Sequence, residues 1–184
     1  MDVTREYIDV RMNRENLDDI PDCTLPAGYS IRWYRQGDED IWLRIQSLAD
    51  KYAKVTPALF EEEFGTDANL LSERQCFLCD GNDNAIGTAS AWFGDHGKEL
   101  LGRVHWVAIV PEHQGKGLAE PLLAAVCNKL KSLGHNKAYL TTQTCRLPAI
   151  SLYAKFGFVP VIESDHDRKI WRDLERHIKR PLRL

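Results

Sequence analysis

The sequence has no apolar run approaching the roughly 20 residues that a membrane-spanning helix needs. Its first ten residues, Met1 to Val10, alternate charges with single apolar side chains and form no secretory core. A cytoplasmic protein without a membrane partner is therefore expected. An excess of positive charge is also missing: 24 Lys and Arg stand against 27 Asp and Glu, a formal net charge of −3. Binding to a phosphate backbone needs concentrated Lys and Arg, so no nucleic-acid partner is expected. Cysteine is scarce and odd in number. The five, at 23, 76, 79, 127 and 145, are scattered, which argues against a disulfide framework and for reduced thiols. Cys76 and Cys79 would face opposite sides of a strand and have no second pair to join, so no metal signature is present. Fixed-period repeats and low-complexity linkers are absent too.

What is present suits one domain. A chain of 184 residues, 43% of them hydrophobic, can bury roughly 70% of the surface that it exposes when unfolded. Residues 1–28 carry Pro21, Pro26 and Gly28 among acidic turn residues and read as an N-terminal arm packing on the body before regular structure begins. Residues 29–184 read as a single domain. Tyr29 to Tyr34 is a strand candidate, and Asp38-Glu39-Asp40 opens a helix with Ile41, Ile45, Leu48 and Ala49 on one face. Thr56-Pro57 is a cap and first residue for a second helix, whose Leu59, Phe60 and Phe64 turn inward and which Gly65 ends. Cys76 to Cys79, Ala85 to Phe93 and Arg103 to Val110, with turns at Asp80 to Asn84 and Gly94 to Gly97, predict three antiparallel strands in a row.

After Pro111 the period changes from 2 to 3.6, with Leu118, Leu122, Val126, Leu130 and Leu133 as a helical stripe closed by Gly134. Lys137 to Thr142 is a strand, Pro148 starts a helix that Gly157 closes, and Phe158 to Ile162 is β-type again. The tail from Ser164 is helical, with Ile170, Trp171, Leu174 and Ile178 on one side. The fold class is α/β in the α+β sense: a mixed, mostly antiparallel central sheet flanked by helices.

The segment that carries chemistry runs from Val107 to Ala119 (VAIVPEHQGKGLA), from a strand through a glycine-containing loop into a helix. A helix N-terminus offers unpaired backbone N–H groups and partial positive charge, so it binds phosphate oxygens without a basic side chain. Gly115 and Gly117 would leave no Cβ between those amides and a pyrophosphate. A plain strand-to-helix turn is the bland alternative. The spacing matches neither the dinucleotide G-x-G-x-x-G nor the G-x-x-x-x-G-K-[ST] phosphate loop.

This segment resembles the acetyl-CoA signature of the GNAT N-acetyltransferase superfamily, Q/R-x-x-G-x-G/A, matched by Gln114, Gly117 and Ala119. A second family feature follows in AISLYAKFGF, from Ala149 through Tyr153 to Gly157-Phe158. The resemblance covers residues 29–162 and implies a GNAT-like fold and an N-acetyltransferase that uses acetyl-CoA as cosubstrate and no metal. It implies that Val107, Ala108 and Ile109 lie along the pantetheine arm, which would add beside the strand as a further strand does. It also implies that Gln114, Gly115, Lys116, Gly117, Leu118 and Ala119 hold the pyrophosphate.

Tyr153 falls where many members place a tyrosine that protonates the departing thiolate, although Ala149, Leu152, Tyr153 and Phe156 also follow core helical spacing. His105, on the strand leading into the loop, is the candidate base and would share a face with Val107 and Ile109. Packing is its alternative role, and some members use a water chain. Arg146 stands where the family often has Asn, so Arg146 or Lys155 could reach a CoA phosphate instead. Asp50 and Glu61-Glu62-Glu63 could attract a cationic amine or face solvent, and Trp42, Trp92 and Trp106 could wall a pocket or pack in the core. The expected acceptor is an amine of a small molecule or peptide, and a homodimer stays open. Rival readings are a non-catalytic acyl-CoA-binding sensor, and an acyltransferase with a longer acyl chain or an oxygen acceptor.

Overall fold

The computed structural model describes residues 2–96, 99–178 and 181–182. Among the described residues, seven strands, β1 (Asp9–Arg14), β2 (Ser30–Trp33), β3 (Gln75–Cys79), β4 (Ala85–His96), β5 (Glu99–Ile109), β6 (Ala138–Gln143) and β7 (Val159–Pro160), form one sheet. Their order is β2-β3-β4-β5-β6-β1-β7, antiparallel throughout except for β5 with β6. Six helices flank it: α1 (Glu39–Ala49), α2 (Pro57–Phe64), α3 (Ala68–Arg74), α4 (Ala119–Ser132), α5 (Leu147–Lys155) and α6 (Asp165–Glu175). This is the mixed, mostly antiparallel architecture expected. Among the described residues no helix is long and apolar enough to cross a membrane.

Local chemistry accounts for most boundaries. The Thr56 side chain accepts the Leu59 N–H and Pro57 occupies the first turn, so α2 starts there, and Gly65 ends it at φ 71°. The Ser164 hydroxyl accepts the Asp167 N–H to start α6. No turn starts at Gly94, because β4 continues through it to His96; Gly97 lies outside the described residues.

Three expectations are corrected. Regular structure begins well before residue 29: β1 occupies an interior place in the sheet, between β6 and β7, with Met12 fully buried. Helix α3, capped by Asp67, was not anticipated. The buried face of α1 is Trp42, Ile45 and Gln46, while Leu48 is half exposed. Trp42 has the largest apolar area on that helix, and burying it sets the rotation. Its ring meets Phe60, Phe64 and Trp106 edge to face at 5.1–5.5 Å.

Two features of β5 position the site. It pairs with β6 only at Gly102–Ala138 and Arg103–Tyr139, so beyond Arg103 the two strands separate and leave a gap. It also bulges against β4: Ser90 faces His105 and Thr88 faces Ala108, so Ala89 stands against two residues, Trp106 and Val107. Trp106 takes φ 48°, a strained value for a bulky side chain, and the Gln46 side chain holds its carbonyl at 2.9 Å.

Candidate active site

The separation of β5 from β6 opens a cleft of about 790 Å³. Val107, Ala108 and Ile109 form one wall, and Gln114, Gly115, Gly117, Leu118 and Ala119 close the end where α4 begins. Tyr153, Leu152 and Ala149 of α5 face them, and Gln46 and Asp50 of α1 stand at the remaining side. The structure thus brings together the glycine loop, the strand before it and the α5 tyrosine. Lys116 is exposed and its side chain does not line the cleft.

The wall and the loop leave backbone groups unused. Val110 N–H donates to the Ile86 carbonyl of β4, so by alternation the groups of Val107 and Ile109 face the gap. The Ile109 carbonyl is taken by the Gln114 side-chain amide at 2.8 Å, which ties the loop to the strand end. At the tip of α4, Leu118 gives no side-chain cap. Among the described residues, the amides of Gly117, Leu118 and Ala119 donate to no internal acceptor. Four such groups are inherent to any helix start and need outside partners. Gly115 and Gly117 sit at φ 73° and 75°, and a Cβ on either would meet no atom within 4 Å. The protein leaves that space open and lines it with N–H donors, an arrangement that fits a diphosphate.

Tyr153 is 8% exposed, and burial pushes its hydroxyl up to about 12, so it keeps its proton at neutral pH. Arg146, at the mouth, is already engaged. Its guanidinium lies 2.6 Å from a carboxylate oxygen of buried Asp50. Burial alone would raise the Asp50 pKa, but the Tyr52 N–H and Arg146 outweigh it and hold the carboxyl below its usual range. Lys155 pairs with Glu120 at 2.5 Å, joining α5 to α4 at the cleft rim. Neither cation is left unpaired to meet a phosphate, and Asp50 is not a free attractor for an amine.

His105 is not in the cleft lining. Gly102 packs toward Leu130 of α4, so alternation sends His105 to the other face, where its ring lies 5.3 Å from that of Phe64 on α2. The bulge then reverses the parity: through the pairs with Ser90 and Thr88, His105 shares its face with Ala108, not with Val107 and Ile109. Its Nε2 stands 2.8 Å from Glu63, off the in-line direction. Burial lowers the His105 pKa to about 4 against the opposing pull of Glu63, and the contact with His105 lowers that of Glu63. The ring is neutral and the carboxylate charged at neutral pH. Trp42 and Trp92 are core, packed on Phe64, and do not wall the cleft.

Sequence reasoning missed Gln46 and the inward turn of Glu63. The available signals were a polar residue on the buried face of α1 and the spacing Phe60, Glu63, Phe64, which places all three on one side of α2.

Residues 40–158 match the model of the acetyltransferase (GNAT) family. The chain belongs to that family. Among GNAT relatives, it is 30% identical over 167 residues to the mycothiol acetyltransferase of Pseudarthrobacter chlorophenolicus, a match covering 84% of this chain and 49% of that protein. The chain spans about half the length of the curated relatives that it matches. A solved GCN5-related N-acetyltransferase from Sphaerobacter thermophilus superposes with a TM-score of 0.68 at 19% identity, over 85% of this chain and 50% of that one. The NatC complex bound to Gag peptide and CoA gives a TM-score of 0.61 at 17% identity, over 73% and 86%. Both show the same GNAT fold.

Proposed function

We propose that this chain transfers an acetyl group from acetyl-CoA to a primary amine of a small molecule or peptide by direct attack on the thioester. One observation carries the reading: unpartnered amides at the tip of α4 open into the same cleft as the free edge of β5 and the protonated hydroxyl of Tyr153. Membership in the GNAT family supports it. Acetyl-CoA supplies an activated acyl group when bound.

In this reading the amides from Gly115 to Ala119, including the backbone of Lys116, hold the pyrophosphate, Gln114, whose N–H is taken by the Pro111 carbonyl, braces the loop through its side chain, and Val107, Ala108 and Ile109 align the pantetheine arm. Gly115 and Gly117 keep that approach free of side chains. Tyr153 gives its proton to the leaving sulfur. Solvent in the cleft takes the proton of the amine, because His105 lies outside the cleft lining. A mycothiol acetyltransferase and a peptide-bound NatC complex both lie among the similar proteins, which supports an acceptor of either size.

Acetyl-CoA at about 100 times its dissociation constant is expected to raise the melting temperature by roughly 5–10 °C. Gly117→Glu, which sets a carboxylate against the phosphates, is expected to remove the shift. Retention of the full shift in that variant would count against the site. Release of free CoA with a panel of amines then separates an enzyme from a protein that only binds.

A further inference from the structure

Gln46 is a polar side chain on the buried face of α1, only 2% exposed, and it borders the cleft. Its amide lies 2.9 Å from the Trp106 carbonyl. A carbonyl oxygen only accepts, so the atom facing it is the Nε2 donor, and the orientation of the carboxamide is fixed. Oε1 therefore points away from Trp106. Among the described residues Oε1 has no hydrogen-bond partner, and it is not one of the polar atoms sealed from solvent. The open space beside it is the cleft. A nearly buried acceptor without a donor is costly to keep, and an N–H arriving in the cleft supplies what the fold does not.

The place of Gln46 along β5 says which N–H that is. The loop that would hold the pyrophosphate follows Ile109, so an arm lying along Ile109, Ala108 and Val107 runs back up the strand and ends toward Trp106. Trp106 is the strained residue of the bulge, at φ 48°, and its carbonyl is the anchor of Gln46. The free acceptor thus stands at the acyl end of the cleft, which Tyr153 also borders.

We propose that Gln46 is a catalytic residue whose Oε1, with Nε2 anchored on the Trp106 carbonyl, accepts an N–H of the incoming amine and aims the nitrogen lone pair at the acyl carbon. The inference rests on the acetyl-transfer reading and deepens it. As the nitrogen bonds to the acyl carbon it gains positive charge, so the N–H to Oε1 bond strengthens toward the transition state. The C–S bond breaks and the sulfur takes the Tyr153 proton. The surplus proton on nitrogen leaves to solvent, and solvent returns one to Tyr153. The amine becomes an amide and the thioester a thiol, with no proton gained or lost overall. The contact also selects the acceptor. A primary amine has one N–H to be held and another to be lost, whereas in a secondary amine a single N–H must serve both ends.

The test uses the whole chain and Gln46→Met, which keeps the side-chain length and removes both polar atoms. The acceptor is the best amine from a panel of amino acids, amino sugars and polyamines, compared with its N-methyl derivative. The variant is expected to lower kcat/KM for the primary amine about 10-fold, and to reduce its preference over the N-methyl derivative about threefold or more. The KM for acetyl-CoA and its thermal shift should hold within about twofold. In wild-type protein loaded with CoA, which cannot react, adding the amine is expected to move the side-chain carbonyl 13C resonance of Gln46; this readout stands even if the variant does not fold. Unchanged kcat/KM in Gln46→Met, equal losses with the two amines, or a Gln46 resonance indifferent to amine overturns the role of Gln46 alone. Wild-type protein that binds acetyl-CoA yet releases no CoA with any amine overturns the transfer reading as well.

Discussion

At the scale of single residues, Tyr153 shows how a side chain can satisfy two readings together. Its helical spacing with Ala149, Leu152 and Phe156 fits a core tyrosine, and it is indeed buried, its ring 6.2 Å from that of Phe158. It also borders the cleft. Burial is what keeps the hydroxyl protonated, so packing and proton donation are served by one placement. Tyr153→Phe removes the proton without changing the volume much. It is expected to lower kcat about 100-fold while leaving the acetyl-CoA thermal shift in place, measured by CoA release and by melting. Arg146 and Lys155 teach the opposite lesson. As sequence positions they were candidates for phosphate contacts, but Asp50 and Glu120, 96 and 35 residues away, already hold them.

At the scale of elements, β1 and the β5 bulge decide most. β1 lies between β6 and β7, antiparallel to both, and Met12 within it has no exposed surface. Arg14 at its end is 6% exposed and donates to the backbone carbonyls of Asn16, Asp19 and Phe156, which ties the strand to the end of α5. Met12→Ala is expected to cost about 2–5 kcal/mol, read from the urea midpoint of unfolding at unchanged slope. The strand was hidden in the sequence because DVRMNR alternates charges with apolar residues and precedes a proline-rich stretch. An interior strand with both neighbours distant in sequence leaves little local trace. The bulge was equally invisible: nothing in RVHWVAI marks Trp106 as the extra residue, and strict alternation misplaced His105 by one face.

At the scale of the whole molecule, buried titratable groups link stability to pH. His105 has a folded pKa near 4 against an ordinary 6.5. Above pH 6.5 the ring is neutral both folded and unfolded, so it contributes nothing to the pH dependence. Below 6.5 the unfolded chain takes up a proton that the folded ring refuses, and stability therefore falls from about pH 6.5 to about pH 4. Glu63, held below its usual range chiefly by the contact with His105, keeps its contribution down to about pH 4.5 and loses it only as pH falls further, through its lowered folded pKa. Melting temperatures between pH 7 and pH 4.5 should decline in the wild type and decline less in His105→Gln.

Local chemistry was enough for the sequence alone to determine the order of most helices and strands, the caps at Thr56, Gly65 and Gly134, and the glycine loop before α4. Periodicity, capping and positive φ are properties of neighbouring residues, and the paired motifs around Gln114 and Tyr153 carried the family. Only the tertiary structure decided which side chains share the cleft, where β1 enters the sheet, and that Glu63 meets His105 while Arg146 meets Asp50. Those contacts join residues tens of positions apart, and a one-residue bulge in β5 is enough to redirect them, because each added residue turns the rest of a strand over.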